Sequence, residues 1–195
     1  MNNKICCVLD TCALSFLLEK ESELNESEKE WYNSFELIKN KIDVFVISSL
    51  VMHELSLNIN IPEAKDNKDS NLVLKKIFNF FKYFFGIDKV EIIDLNEDSI
   101  TEYRNLYKNT SFLIECQCDN KKDVCKSKKY KHKIDALIVA QASAYANNIY
   151  NNDKYSEFWL LTEDKNMKKY KTNNLKIYSF KDAKINLGIE DVLPL

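Results

Sequence analysis

Lys4-Ile5-Cys6-Cys7-Val8-Leu9-Asp10-Thr11-Cys12-Ala13-Leu14-Ser15-Phe16-Leu17-Leu18 is the stretch on which the fold turns. From Lys4 to Leu9 the run is apolar without alternation, the pattern of a short strand covered on both faces of a parallel sheet. Asp10 follows at once, and Cys12 to Leu18 reads as a helix starting behind an Asp10–Thr11 turn. An acid in that place stands where parallel sheets gather their ligands, at the carboxyl ends of the strands.

Working outward, Val44 to Ser48 has the same continuous apolar character, and Val90 to Leu95, Phe158 to Thr162 and Leu175 to Phe180 are further strand candidates. Helical spacing fills the intervals. Trp31, Phe35 and Ile38 lie three to four apart at the end of a glutamate-rich stretch that runs through Lys39, and Leu50 to Leu57 follows the second strand directly. Leu72 to Phe85 carries Ile77, Phe80, Phe81 and Phe84 on an apolar side, aromatics that read as core. Glu97 to Leu113 and the alanine-rich Ile134 to Ile149 complete the set, with Asn58 to Ser70 as a loop. Strands alternating with helices predict an α/β protein, three layers α/β/α with a mainly parallel, roughly five-stranded sheet.

With 195 residues, 45% hydrophobic and 30% charged, the chain suits one compact core. Two glycines leave no Gly-rich phosphate loop, which removes several nucleotide-binding classes. The net charge of -2 conceals segregation: Glu19 to Glu36 is acidic, whereas Lys121 to Lys133 is crowded with lysine. The first apolar run is interrupted by Asp10 and is followed by no clean cleavage pattern, so it is not read as a secretory leader. The apolar stretch after Asp135 is broken by Gln141, Asn147 and Asn148, too soon to span a bilayer. A cytoplasmic protein with no membrane partner is the expectation.

Cys6, Cys7 and Cys12 fall in or beside the first strand and read as free thiols in a reducing compartment. Cys116, Cys118, Cys125 and His132 differ, being soft ligands within a short lysine-rich segment. They are candidates for a structural Zn²⁺ that would order a repulsive loop, although Cys-x-Cys is not the usual paired spacing.

Four acids converge on one sheet edge under this reading. Asp10 ends the first strand, Asp164 follows the fourth, Glu54 lies in the helix after the second, and Asp135 opens its own helix, where the helix dipole favours a carboxylate. Carboxylates held together repel unless a cation lies among them. With oxygen donors alone and no histidine at the same strand ends, Mg²⁺ or Mn²⁺ fits better than zinc.

Val8-Leu9-Asp10-Thr11, Ser48-Ser49-Leu50-Val51-Met52-His53-Glu54-Leu55, Asp135-Ala136-Leu137-Ile138-Val139-Ala140 and Leu161-Thr162-Glu163-Asp164 resemble, in order and spacing, the four motifs of PIN domains. The resemblance covers nearly the whole chain and implies a single nuclease domain over 1–195 with helical and Cys/Lys-rich insertions. It implies a five-stranded parallel sheet and a divalent-metal ribonuclease, in a family whose bacterial members are often toxins paired with an antitoxin. Carried over, Asp10, Glu54, Asp135 and Asp164 are the metal ligands and catalytic acids, with Thr11 and Thr162 as hydroxyl supports.

The reaction expected is phosphodiester hydrolysis by water activated on one or two metal ions, with no side-chain nucleophile. Lys128, Lys129, Lys131, Lys133 and Lys165 would contact the RNA backbone without reading sequence. An antitoxin protein and a homodimer are the expected protein partners. The rival readings are an inactive PIN-like binding module and a phospho-receiver, for which Asp94 and Lys181 stand near the required places. A haloacid-dehalogenase-type site needs a second aspartate where this chain has Cys12.

Overall fold

The computed structural model describes residues 4–19, 21–57, 70–109, 122–150 and 154–189, without the side chains of 21, 70–71, 107–109 and 122–132. Its sheet has five parallel strands, β1 (Ile5–Leu9), β2 (Val44–Ser48), β3 (Val90–Ile93), β4 (Glu157–Leu161) and β5 (Leu175–Tyr178), in the order β3-β2-β1-β4-β5. Every residue of β1 and β2 is buried, as is nearly all of β4, because helices cover both faces of the central strands. At the edges β3 and β5 expose part of their side chains. The expected three-layer α/β fold is the observed one.

Register places the strand ends. Leu9 pairs with Ile47 on one side and with Leu161 on the other, so Asp10 lies level with Ser48 and Thr162. The ladder continues one step further, since the Asp10 amide donates to the Leu161 carbonyl at 3.2 Å and the Thr162 amide to the Tyr178 carbonyl at 2.9 Å.

Among the described residues seven helices flank the strands: α1 (Thr11–Ser15), α2 (Glu26–Ile38), α3 (Ser49–Leu57), α4 (Ser70–Phe85), α5 (Glu97–Asn109), α6 (Lys122–Tyr150) and α7 (Phe180–Asn186). The glutamate-rich stretch is not one continuous helix. Short 3-10 turns at Phe16–Leu18 and Glu21–Glu23 precede α2, and Asn25 starts α2 with a reciprocal capping box to Glu28. Asn25→Ala should lower stability by about 1 kcal/mol, measured by urea denaturation, because it leaves a first-turn amide without its acceptor.

A second departure is larger. The helix expected from Ile134 begins at Lys122, so Asp135 lies near its middle and no helix-end field favours its charge. Lysine is a good helix former and neither glycine nor proline interrupts this segment, so the helix runs straight through the lysines expected to form a loop. The predicted loop over 58–69 lies outside the described residues. Of the α4 aromatics expected in the core, Phe81 is fully buried, Phe85 is buried and stacks on Phe45 with ring centroids 4.3 Å apart, and Phe80 and Phe84 pack partly buried against that core, while Tyr83 is exposed. No helix among the described residues is long and apolar enough to cross a membrane.

Candidate active site

At the carboxyl edge of the sheet, Asp10, Thr11, Cys12, Ser15, Glu54, Asp135 and Asp164 line one cleft of about 270 Å³. The four acids come from four segments. Asp10 leaves β1 in extended conformation ahead of α1, Glu54 lies about one and a half turns into α3, Asp135 projects from α6, and Asp164 follows β4.

Thr162 holds the centre. Its buried hydroxyl donates to Asp10 Oδ2 at 2.8 Å and accepts the Asp164 amide at 3.0 Å, so one side chain fixes two of the acids. The Cys12 thiol also donates to Asp10 Oδ2, at 3.0 Å, and its sulfur accepts the Glu163 amide at 3.3 Å. Asp164 Oδ1 accepts the Asn166 amide at 2.7 Å, and the Thr11 hydroxyl donates to Glu54 Oε2. Thr11 and Thr162, expected as hydroxyl supports, each donate to one carboxylate of the cleft.

Asp10 is only 5% exposed and Asp135 7%. Burial pushes the Asp10 carboxyl above the ordinary aspartate range, with the charge of Asp164 adding to it, while hydrogen bonds from Cys12 and Thr162 pull the other way. Among the described residues, no three acid, thiol or imidazole groups are drawn tightly enough together to grip a metal as they stand. The donor set nevertheless fits a hard divalent cation, being all oxygen among its charged groups.

Glu163 and Asp164 diverge as residues leaving a strand do. Asp164 lines the cleft, whereas Glu163 Oε1 accepts the Phe180 amide at 2.9 Å at the start of α7. His53 is exposed and lines a separate apolar groove of about 410 Å³ with Met52, Leu74, Phe78 and Asp94.

The location of Asp94 removes the phospho-receiver reading. Receiver sheets run 2-1-3-4-5 and set the third strand beside the first; here β3 is an edge strand and β2 lies between it and β1.

Lys133 and Lys165 are exposed close in sequence to Asp135 and Asp164. Further along the same loop, Lys168 is engaged by Asp182 at 2.5 Å, which draws that carboxyl down to about 2, so it is less free to meet a phosphate. Lys128, Lys129 and Lys131 lie on the backbone of α6, but their side chains fall outside the described residues. The zinc candidates fall there as well: Cys116 and Cys118 entirely, Cys125 and His132 in their side chains.

Sequence reasoning missed Cys12 and Ser15 as cleft residues. The signal for Cys12 was its place two residues after Asp10, in the first turn of a helix. It also missed the buried pair Ser48 and Gln141, which join by a hydrogen bond beneath the site.

The sequence matches the PIN domain family model over residues 7–173. No curated protein matches it. Among solved structures, FitAcB from Neisseria gonorrhoeae has a TM-score of 0.50 at 15% identity, covering 90% of this chain and 98% of its own, and supports the fold. VapBC2 from Rickettsia felis bound to a DNA fragment from their promoter has a TM-score of 0.49 at 20% identity, covering 89% and 98%. DNA-bound VapBC from Salmonella typhimurium has 0.47 at 13%, covering 90% and 98%.

Proposed function

The chain belongs to the PIN domain family, and from that premise we propose that it is a divalent-metal-dependent endoribonuclease acting at the four-acid cleft. The observation that carries the reading is the convergence of Asp10, Glu54, Asp135 and Asp164 from four segments on one cleft, two of them nine-tenths buried. A self-repelling set of this kind is hard to explain in an inert binding module.

Asp10, Glu54, Asp135 and Asp164 would hold Mg²⁺ or Mn²⁺, and when bound the cation supplies Lewis acidity that lowers the pKa of water and offsets phosphate charge. The protein's own share is orientation. Thr162 and Cys12 fix one oxygen of Asp10, Thr11 steers Glu54, and the Asn166 amide steers Asp164. Among the described residues Thr11 and Ser15 are the hydroxyls that line the cleft and no histidine lines it, so the reading calls on no side-chain nucleophile. Exposed Lys133 and Lys165 would meet the RNA backbone, with salt-sensitive binding as the consequence.

Incubating the purified protein with single-stranded and structured RNA tests this reading. Cleavage should require Mg²⁺ or Mn²⁺ and stop with a chelator; cleavage indifferent to the chelator would sink it. Asp164→Asn should slow cleavage by about 10²-fold or more, because several kcal/mol of charge stabilisation is removed. Glu163→Gln should stay close to the wild-type rate, since its side chain is turned to α7. The reverse order would shift the ligand assignment by one residue.

The antitoxin and the homodimer belong to the same proposal. Co-expression with a small partner frame should suppress RNA cleavage by the chain, and light scattering of the purified protein should give twice the chain mass.

A further inference from the structure

We infer that Gln141 is a positioning residue, setting the spacing between α3 and α6 and with it the spacing of Glu54 and Asp135. The inference deepens the cation reading of the cleft and rests on it. Asp10 and Asp164 are tied to each other through the Thr162 hydroxyl at paired strand ends. Glu54 and Asp135 share no such strand, for each rides on a helix, and the relation between those helices must be fixed by side chains.

Gln141 stands six residues beyond Asp135 on α6, where most of the buried residues around it are apolar and Ser143 is the other buried amide or hydroxyl, and is only 1% exposed. Its Nε2 donates to the Ile93 carbonyl at the end of β3, at 2.9 Å. Because that carbonyl can only accept, the amide's orientation is determined, and Oε1 must face the Ser48 hydroxyl, which donates to it. Ser48 in turn ends β2 and accepts the Leu50 amide at 3.1 Å, in the first turn of α3. One buried amide therefore connects the helix of Asp135 to the first turn of the helix of Glu54 and to the neighbouring strand end.

An apolar residue would fill the same space at less desolvation cost, and a buried polar link between two helices and a strand end is the better explanation for an amide there. A mismatch of a few tenths of an ångström between α3 and α6 would spread the two acids without unfolding either helix. Outer-shell groups of this kind change metal affinity more than they change the fold.

The test uses the full chain as wild type, Gln141→Leu, Ser48→Ala and the double variant. Two quantities are read: the Mn²⁺ concentration giving half of the maximal rise in melting temperature, and amide hydrogen exchange by mass spectrometry. Each single variant should raise the half-saturating Mn²⁺ by about tenfold, and the double should be no worse than the poorer single, because both break one link. Exchange over residues 49–57 should quicken in Gln141→Leu while β1 and β4 stay protected. If Gln141→Leu lowers the melting temperature but leaves half-saturation unchanged, or the single effects add in full, the amide is a packing residue and the inference is wrong. A wild-type protein with no response to Mn²⁺ overturns the cation reading instead; exchange over 49–57 then decides alone whether Gln141 holds α3, and unchanged exchange rejects it. Ser48→Ala, which removes little volume, keeps the test open should Gln141→Leu not fold.

Discussion

Asp10→Asn is expected to lose RNA cleavage by about 10³-fold or more while leaving the protein folded and, without cations, no less stable than wild type. The two halves of that result come from one fact. Asp10 is buried, and burial has pushed its carboxyl above the usual range, so its negative charge is a liability to the fold when nothing positive lies beside it. Asparagine has the same shape, and its carbonyl oxygen can accept from Thr162 and Cys12 as Oδ2 does now. The neutral amide removes the desolvation burden and keeps the hydrogen bonds. What it loses is the charge at the point where Thr162, Asp164 and Cys12 meet, and several kcal/mol of transition-state stabilisation would go with it. Circular dichroism, a melting curve without metal, and a cleavage assay check the three parts. A variant that is inactive because it is unfolded would not support this account.

The largest effect on stability is expected at Phe35. Its fully buried ring meets Phe16, Phe45, Phe84, Phe85 and Phe180, with centroid distances from 5.6 Å to Phe85 to 6.5 Å to Phe16. These partners come from β2, α4, α7 and the turn after α1, so one ring of α2 joins four other parts of the chain. Removing it leaves a cavity that close-packed neighbours on separate elements cannot jointly fill. Phe35→Ala should therefore lower stability by about 3–5 kcal/mol, read from denaturant midpoints with the m-value checked for constancy. A drop below about 1 kcal/mol would mean that the cluster collapses readily around the gap.

The parts of the fold that could be read in the sequence are those where burial alone decides. Ile5–Leu9 and Val44–Ser48 are apolar at every position because both faces are covered, and the acids after them stand out by contrast. Helix limits were less legible. Asp135 looked like a helix start because the apolar pattern begins there, but the lysine-rich residues from Lys122 onward are helical too, since lysine is a good helix former. Gln141 was read only as a polar interruption that keeps an apolar stretch from spanning a bilayer. Its real surroundings depend on Ser48 and Ile93, distant in sequence, and no local pattern reports a hydrogen bond made across 93 positions. For Cys12 the difficulty was chemical: a thiol beside an apolar strand has the composition of core, and only the three-dimensional contact with Asp10 shows it in the cleft.

The central claim, that four carboxylates from four segments form one centre for a divalent cation, is tested most directly by calorimetric titration of Mn²⁺ into metal-stripped wild type and Asp10→Asn side by side. Saturable binding of one or two ions to the wild type, lost or greatly weakened in the variant, is the predicted result. Equal binding by both proteins, or none by the folded wild type, would contradict it.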